Sequence, residues 1–238
     1  PARLRAEQVQ LTRSGLAFDV IEQLPQGSDS PAQRVELAVV GRYNVHNLLG
    51  VLAAARALDI PLTQAVAACS HLSAVPGRME QAPGRAGDPL VLVDYAHTPD
   101  ALEKALQAVQ PLAAHRGGEL WVLVGCGGDR DATKRPLMAA AACQQARHVV
   151  LTSDNPRSEE PAAILRQMQA GVPDGRTVAV IENRAEAIAH AVQTAAPADV
   201  VLIAGKGHED YQDIRGVKHP FSDLQQAAQA LAARGVSA

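Results

Sequence analysis

From residue 90 onward, short unbroken apolar runs alternate with longer stretches of mixed character. Leu90–Asp94, Leu120–Gly125, His148–Asp154, Thr177–Glu182 and Val200–Ala204 read as strands. Their apolar residues are continuous rather than alternating, which is the pattern of strands covered on both faces. Between and after them, Pro99–Leu112, residues from about Arg135 to Arg147, Glu160–Ala170, Arg184–Ala195 and Ser222–Ala233 read as helices. Strand–helix alternation joined by right-handed crossovers predicts an α/β fold built on a doubly wound, mostly parallel sheet.

The first 86 residues follow another pattern. Leu11–Ile21 and Gln33–Val40 read as strands around the polar turn Gly27-Ser28-Asp29-Ser30-Pro31, and Asn44–Leu58 and Leu62–Leu72 as helices. Residues 81–88 are rich in Gly and Pro, so a linker is expected there and a boundary near residue 86. The two pieces are then 1–86 and 87–238. The first is too short and sheet-poor for an independent α/β domain, and is expected to be the end of a larger one.

Composition narrows the class. Hydrophobic residues make up 47% and charged residues 20% of the 238, which favours a packed core over disorder. The formal net charge of −3 argues against a dedicated nucleic-acid binder. No apolar run approaches the ~20 residues of a membrane span. Cys69, Cys126 and Cys143 are odd in number and lack metal-ligand spacing, which speaks against a disulfide framework or structural zinc and for a reducing, cytoplasmic setting.

Polar residues gather directly after the predicted strands. The segments are Asp94-Tyr95-Ala96-His97-Thr98-Pro99-Asp100, Gly125-Cys126-Gly127-Gly128-Asp129-Arg130-Asp131, Asp154-Asn155-Pro156-Arg157 and Gly205-Lys206-Gly207-His208-Glu209-Asp210. Ligands of open parallel sheets bind outside the carboxyl ends of the strands, so these loops should converge on one small-molecule site. Each also has a plainer reading. Gly125–Arg130 is either a phosphate-cradling turn or a tight turn only; it completes neither the P-loop nor the G-x-G-x-x-G spacing. Asp154–Arg157 is either a helix-entry turn or a ligand loop. Arg157 favours the second, because a cation near a helix N-terminus opposes the macrodipole unless an anion joins it. Gly205–Glu209 is either a glycine turn with solvated charges or a charged site. Cys126 reads as a small turn residue, Trp121 and Met138 as core, and Lys134 and Arg135 as a solvated helix start or a further anion contact.

Together with Gly41-Arg42-Tyr43-Asn44-Val45-His46-Asn47 and Pro76-Gly77-Arg78-Met79-Glu80, these loops resemble the Mur ligase family, which builds the peptide stem of peptidoglycan. The resemblance covers nearly the whole chain, most densely Gly41–Asp210. It implies that 1–86 is the C-terminal part of a central ATPase domain and 87–238 a Rossmann-like domain for the incoming amino acid. Asn47, Arg78, Asp94 and His97 then correspond to ATP contacts. Arg130, Asp154, Asn155, Pro156, Arg157, Gly205 and Glu209 correspond to the amino-acid site, with Lys206 and His208 as possible substrate or phosphate contacts. The Asp-Asn-Pro-Arg tetrapeptide resembles that of the member adding meso-diaminopimelate; lysine-adding relatives typically lack its arginine. The activity implied is ATP- and Mg²⁺-dependent amide formation on UDP-N-acetylmuramoyl-L-Ala-D-Glu through an acyl phosphate. The alternatives are a lysine-adding ligase, a folylpolyglutamate synthetase relative, or a binding module without chemistry.

The family's P-loop, metal-binding residues, carbamylated lysine and UDP-sugar domain are expected to precede everything in this sequence, so the chain reads as a fragment. It is therefore expected not to ligate alone, because positioning and charge stabilisation around the phosphates supply most of the rate of phosphoryl transfer. ADP release that depends on dipeptide and amino acid, measured on the purified chain, would contradict that expectation.

Overall fold

The computed structural model describes residues 3–12, 15–72 and 74–234, and the chain divides into two compact units after Ala74. In the first unit, β1 (Leu4–Leu11), β2 (Leu16–Glu22) and β3 (Gln33–Leu37) form an antiparallel sheet in that order. Helices α1 (Tyr43–Ala57) and α2 (Leu62–Cys69) follow. Leu16, Phe18, Val20, Leu48 and Leu52 share its core. The run expected as one strand over Leu11–Ile21 is instead divided between the end of β1 and β2, with Thr12 N–H on the Gly15 carbonyl; residues 13 and 14 lie outside the described residues. Charged Arg5 and Glu7 on a largely solvated strand hid β1 from the hydrophobic pattern.

The second unit holds β4 (Glu80–Gln81), β5 (Leu90–Asp94), α3 (Pro99–Arg116), β6 (Leu120–Cys126), α4 (Lys134–Gln145), β7 (His148–Ser153), α5 (Pro161–Gln169) and β8 (Ala179–Val180). It continues with α6 (Arg184–Thr194), β9 (Val200–Ala204), β10 (Tyr211–Ile214), β11 (Val217–Pro220) and α7 (Asp223–Ala233). Six strands form a sheet in the order β4-β5-β9-β6-β7-β8, parallel except for β4. Helices cover both faces: α3 neighbours α4 and α4 neighbours α5, while α6 and α7 pack together against the other side. Val91, Val93, Val201, Ile203 and Leu123 point to the α6–α7 side and are essentially inaccessible, as continuous apolar strands require.

The Gly/Pro-rich stretch expected as a linker lies inside this second unit. Strand β4 pairs Glu80 with Val93 and Gln81 with Leu92, so residues 75–86 belong with the parallel sheet. Helix α3 runs past the expected stop at Leu112 and through Pro111, ending at Gly117 with φ 74°. The strand expected over Thr177–Glu182 shortens to Ala179–Val180, paired on one side only. The hairpin β10–β11 escaped the hydrophobic pattern because polar residues alternate along it. Its two-residue turn, Arg215-Gly216, has positive φ at both positions, the geometry that matches strand twist.

One interaction holds the sheet's carboxyl edge from beneath. Arg184, at the first position of α6, donates from Nε and Nη2 to the two oxygens of Asp223 on α7, each at 2.7 Å, with both side chains fully buried. The same guanidinium donates to the carbonyls of Ala204 at 3.0 Å and Ser153 at 3.2 Å, the last residues of β9 and β7. Removing one partner of a buried pair strands the other charge, at a cost of about 3–5 kcal/mol. Asp223→Ala should therefore lower the unfolding free energy of the second unit by about that amount in urea titrations. A loss within the ordinary surface range of about 0.5 kcal/mol would show that Arg184 finds other partners.

Candidate functional site

The loops after β5, β6, β7 and β9 surround one cavity of about 520 Å³. Thr98 caps α3 by accepting from the Ala101 amide at 3.3 Å, with Pro99 in the first turn, which sets where the Asp94–Asp100 loop ends. Gly128 has its amide on the Asn155 carbonyl at 2.9 Å, and a Cβ there would lie 1.9 Å from the Pro156 carbonyl oxygen. Gly205 adopts φ +118°, and a Cβ there would lie 2.7 Å from Asp154 Oδ2. Gly128 thus lets two loops touch backbone to backbone, and Gly205 leaves room for the Asp154 carboxyl group.

Of the residues read from the sequence as an amino-acid site, Arg130, Asp154, Asn155, Arg157, Gly205 and Glu209 line this cavity, and His97 lines it too. Pro156 does not; it packs behind Gly128. Arg130 is exposed, and among the described residues its guanidinium has no hydrogen-bond or ion-pair partner. Arg157 sits in the left-handed region at φ 50° and donates from Nη1 to the Gly128 carbonyl at 2.7 Å. Its backbone pairs with the hairpin: Arg157 N–H reaches Asp213 O at 2.9 Å and Arg215 N–H reaches Arg157 O at 2.7 Å. Gln212 Nε2 donates to the Asp154 carbonyl at 2.8 Å. The hairpin thus holds the whole Asp154–Arg157 loop, a role no residue of the loop itself announced.

Lys206 does not reach the cavity as a contact. It is fully buried, and its ammonium donates to Asn155 Oδ1 and Glu209 Oε2, both at 2.9 Å, with Asp154 Oδ1 at 3.9 Å. Asn155 Nδ2 donates to the same Glu209 oxygen at 2.9 Å, and Asp213 N–H donates to Asn155 Oδ1 at 3.0 Å. Burial pushes the Glu209 carboxyl up, but Lys206, Asn155 and Arg157 overcome it and hold the group below its ordinary range. Asp154 goes the other way: burial raises it, and Arg184 and Lys206 only partly offset that. Burial, then the Asp154 charge, pushes the Cys126 thiol up to about 12, leaving it an inert turn residue.

Arg135 is neither solvated nor a free anion contact. It is 1% exposed and grips Glu159 with two bonds, Nη2–Oε1 at 2.7 Å and Nη1–Oε2 at 2.8 Å, while also donating to Gln167 at 2.6 Å and to the Gly127 carbonyl at 3.1 Å. Glu159 in turn accepts from the Asp129 amide at 2.6 Å, so this strut ties the β6 loop to the β7 loop.

The residues read as ATP contacts separate. Asp94 is buried, and its two oxygens accept from the Met79 and Ala96 amides at 2.9 Å each, so it pins the preceding turn instead of facing the cavity. Arg78 lies over the Tyr95 ring at 5.0 Å, with the His97 ring at 4.6 Å and the His208 ring at 5.5 Å from it. Tyr95 also lines the cavity, so this cluster borders it. Asn47 stands exposed on α1 in the first unit, with Nδ2 on Asn44 Oδ1 at 3.2 Å. A guanidinium and two imidazoles around a phenol ring fit an anionic ring compound such as a nucleotide. Among the described residues, no three His, Cys, Asp or Glu side chains are grouped to hold a metal ion.

Residues 77–207 match the family described as Mur ligase, glutamate ligase domain. The chain is 54% identical over 235 residues to the UDP-N-acetylmuramoyl-L-alanyl-D-glutamate–2,6-diaminopimelate ligase of Acidovorax sp. (strain JS42), covering 99% of this chain and 46% of that relative. A solved structure bearing the same enzyme name is 39% identical with a TM-score of 0.77, again covering 99% of this chain and 46% of its own. The folylpolyglutamate synthase of Thermotoga maritima, at 18% identity and a TM-score of 0.64 over 85% of this chain and 43% of its own, shares the fold alone. The chain spans about half the length of the first two.

The Arg135–Glu159 strut predicts an acid response. Arg135 holds the Glu159 carboxyl down from 4.5 to about 2. A carboxyl depressed by folding contributes stability above its unfolded pKa and loses it as pH falls toward the folded one. Unfolding midpoints measured between about pH 5 and pH 2 should therefore fall less steeply in Glu159→Gln than in the wild type. Parallel curves would mean that Arg135 binds Glu159 no better folded than unfolded.

Proposed function

The chain belongs to the Mur ligase family, and from that premise we propose that it is the amino-acid-binding part of a ligase that adds meso-diaminopimelate to UDP-N-acetylmuramoyl-L-Ala-D-Glu. Members of the family are ATP-dependent and commonly use Mg²⁺. ATP would supply the phosphoryl group that turns the dipeptide carboxylate into an acyl phosphate. The amino acid's neutral amine then attacks; a C–N bond forms, the C–O bond to phosphate breaks, phosphate leaves, and the nitrogen gives up one proton to water. Arg78, His97 and His208 around Tyr95 are the residues of the second unit suited to the nucleotide, and Asn47 is the candidate in the first. The reading assigns Mg²⁺ no residue of this chain.

What carries the reading is the charge pattern of the cavity. Two arginines, Arg130 and Arg157, an ionised Glu209 and an oriented Asn155 amide face one space. Meso-diaminopimelate has two carboxylates and two ammonium groups. Guanidinium groups suit the carboxylates through paired, charge-assisted bonds. Glu209 suits an ammonium group, with the Asn155 amide beside it. Arg157 spends Nη1 on Gly128, which leaves its Nε and Nη2 donors for a ligand. A cytoplasmic location is part of the same proposal. It is supported by three cysteines that are all free and, among the described residues, by the lack of any helix long and apolar enough to cross a membrane. The rival reading, a binding module without chemistry, predicts amino-acid affinity with no ADP release under any substrate set in the longer protein.

Arg157 also separates meso-diaminopimelate from lysine, which lacks the distal carboxylate. Arg157 is half-buried in the free chain and would be closed off from water by a ligand lying over it; leaving a charge so buried without its partner costs about 2–5 kcal/mol. At about 1.4 kcal/mol per decade, that is roughly 30-fold or more. In the complete ligase, Arg157→Ala should cut kcat/KM for meso-diaminopimelate at least tenfold and leave lysine use unchanged or slightly improved. If Arg157 only braces the Gly128 carbonyl, both amino acids lose activity in parallel, and that outcome ends the specificity argument.

A further inference from the structure

We propose that Lys206 is a positioning residue: its buried ammonium fixes the Asn155 amide and one Glu209 oxygen, so the cavity presents a single charged acceptor beside a single amide donor. The inference rests on the amino-acid-site reading and goes beyond it, because Lys206 itself touches no ligand.

The hydrogen bonds leave little freedom. An ammonium only donates, so the Asn155 atom facing Lys206 Nζ at 2.9 Å is its oxygen, and Asp213 N–H at 3.0 Å requires the same. Asn155 Nδ2 must then turn toward Glu209, where it meets Oε2 at 2.9 Å. Lys206 Nζ reaches that same oxygen at 2.9 Å. Glu209 Oε2 is thus occupied twice, and no hydrogen bond falls on Oε1 among the described residues. One Nδ2 hydrogen of Asn155 is left as well. Both residues line the cavity while Lys206 is 0% exposed, so the lysine acts through them.

Charge makes the same point. The groups acting on Glu209 are Lys206 and Asn155 by hydrogen bond and Arg157 by charge; Asp154 and Arg184 are the other charged groups coupled to it. Burial pushes the carboxyl up, and Lys206 is the largest influence opposing it. Without that ammonium, Glu209 takes up a proton as pH falls and loses its attraction for an amine. The ligand's own ammonium and carboxylate groups keep their charges between about pH 5 and 7.5.

The experiment follows the Glu209 side-chain carboxyl by ¹³C NMR through a pH titration of this chain, wild type and Lys206→Met. Calorimetric binding of meso-diaminopimelate is measured over the same range. The Glu209 midpoint should move upward in the variant, and the ratio of variant to wild-type dissociation constants should grow as pH falls, approaching tenfold per pH unit once the carboxyl titrates. An unmoved midpoint, or a ratio constant with pH, reduces Lys206 to a loop support and overturns the proposal. Lys206→Gln, which keeps a neutral donor, serves if Lys206→Met does not fold, with the same expected shift. If neither folds, a wild-type Glu209 midpoint at or above the ordinary glutamate value overturns the proposal; one that stays below it in both Asn155→Ala and Arg157→Ala, where Lys206 is the partner left, upholds it, and one that rises to the ordinary value there overturns it. Should the wild-type chain bind no meso-diaminopimelate, the amino-acid reading fails, while the carboxyl titration still decides the role of Lys206.

Discussion

The geometry of the site depends on burying charge under the carboxyl edge of a parallel sheet. Strand ends present carbonyl oxygens there, and Asp154, Asp223 and Glu209 add three carboxyl groups. Two cations answer them. Arg184 takes Asp223 and the terminal carbonyls of β7 and β9; Lys206 takes Glu209 and Asn155. Neither cation contacts solvent, so neither has a cheap alternative to its place in this network. Because the Arg184 guanidinium is planar and rigid, the ends of β7 and β9 are set relative to one another across β6, and the loops that leave them inherit that spacing.

A single phenol joins the two halves of the proposed chemistry. Tyr95 forms part of the cavity wall and also carries Arg78, His97 and His208 around its ring. A nucleotide at that cluster and an amino acid in the cavity would be neighbours across one side chain. That proximity suits a reaction in which an amine must reach a newly phosphorylated carboxylate. Asp94 supports the arrangement from below by tying the Met79 amide to the strand that precedes Tyr95.

The parallel strands, the helices between them and the shared edge of their loops were legible in the sequence. Unbroken apolar runs such as Val200–Ala204 admit few readings, and connections of this kind place every following loop on one side. The supports were not legible. Strand β4 is two residues long, and β10–β11 is polar, so neither gives a hydrophobic period; the Arg215-Gly216 turn was the available signal for the hairpin. Lys206 and Arg135 look like surface charges in a sequence, and only the partners that fold beside them make burial tolerable. Asp94 closes a strand and so reads as a ligand group, whereas its two oxygens satisfy backbone amides from either side.

The sheet's two rims have a consequence for how this unit keeps to itself. Its most β-prone segments, Val200–Ala204 and Leu120–Cys126, lie innermost, while each border is a strand of only two residues, Glu80–Gln81 and Ala179–Val180. Long apolar strands exposed at a border offer a template for cross-strand pairing between molecules and for amyloid-like stacking. Here a two-residue strand lies alongside β5 at one border and β7 at the other, which shortens the unpaired backbone that either could offer. Replacing the polar Glu80-Gln81 pair with β-branched residues would lengthen the template and turn a self-limiting sheet toward association with its own copies.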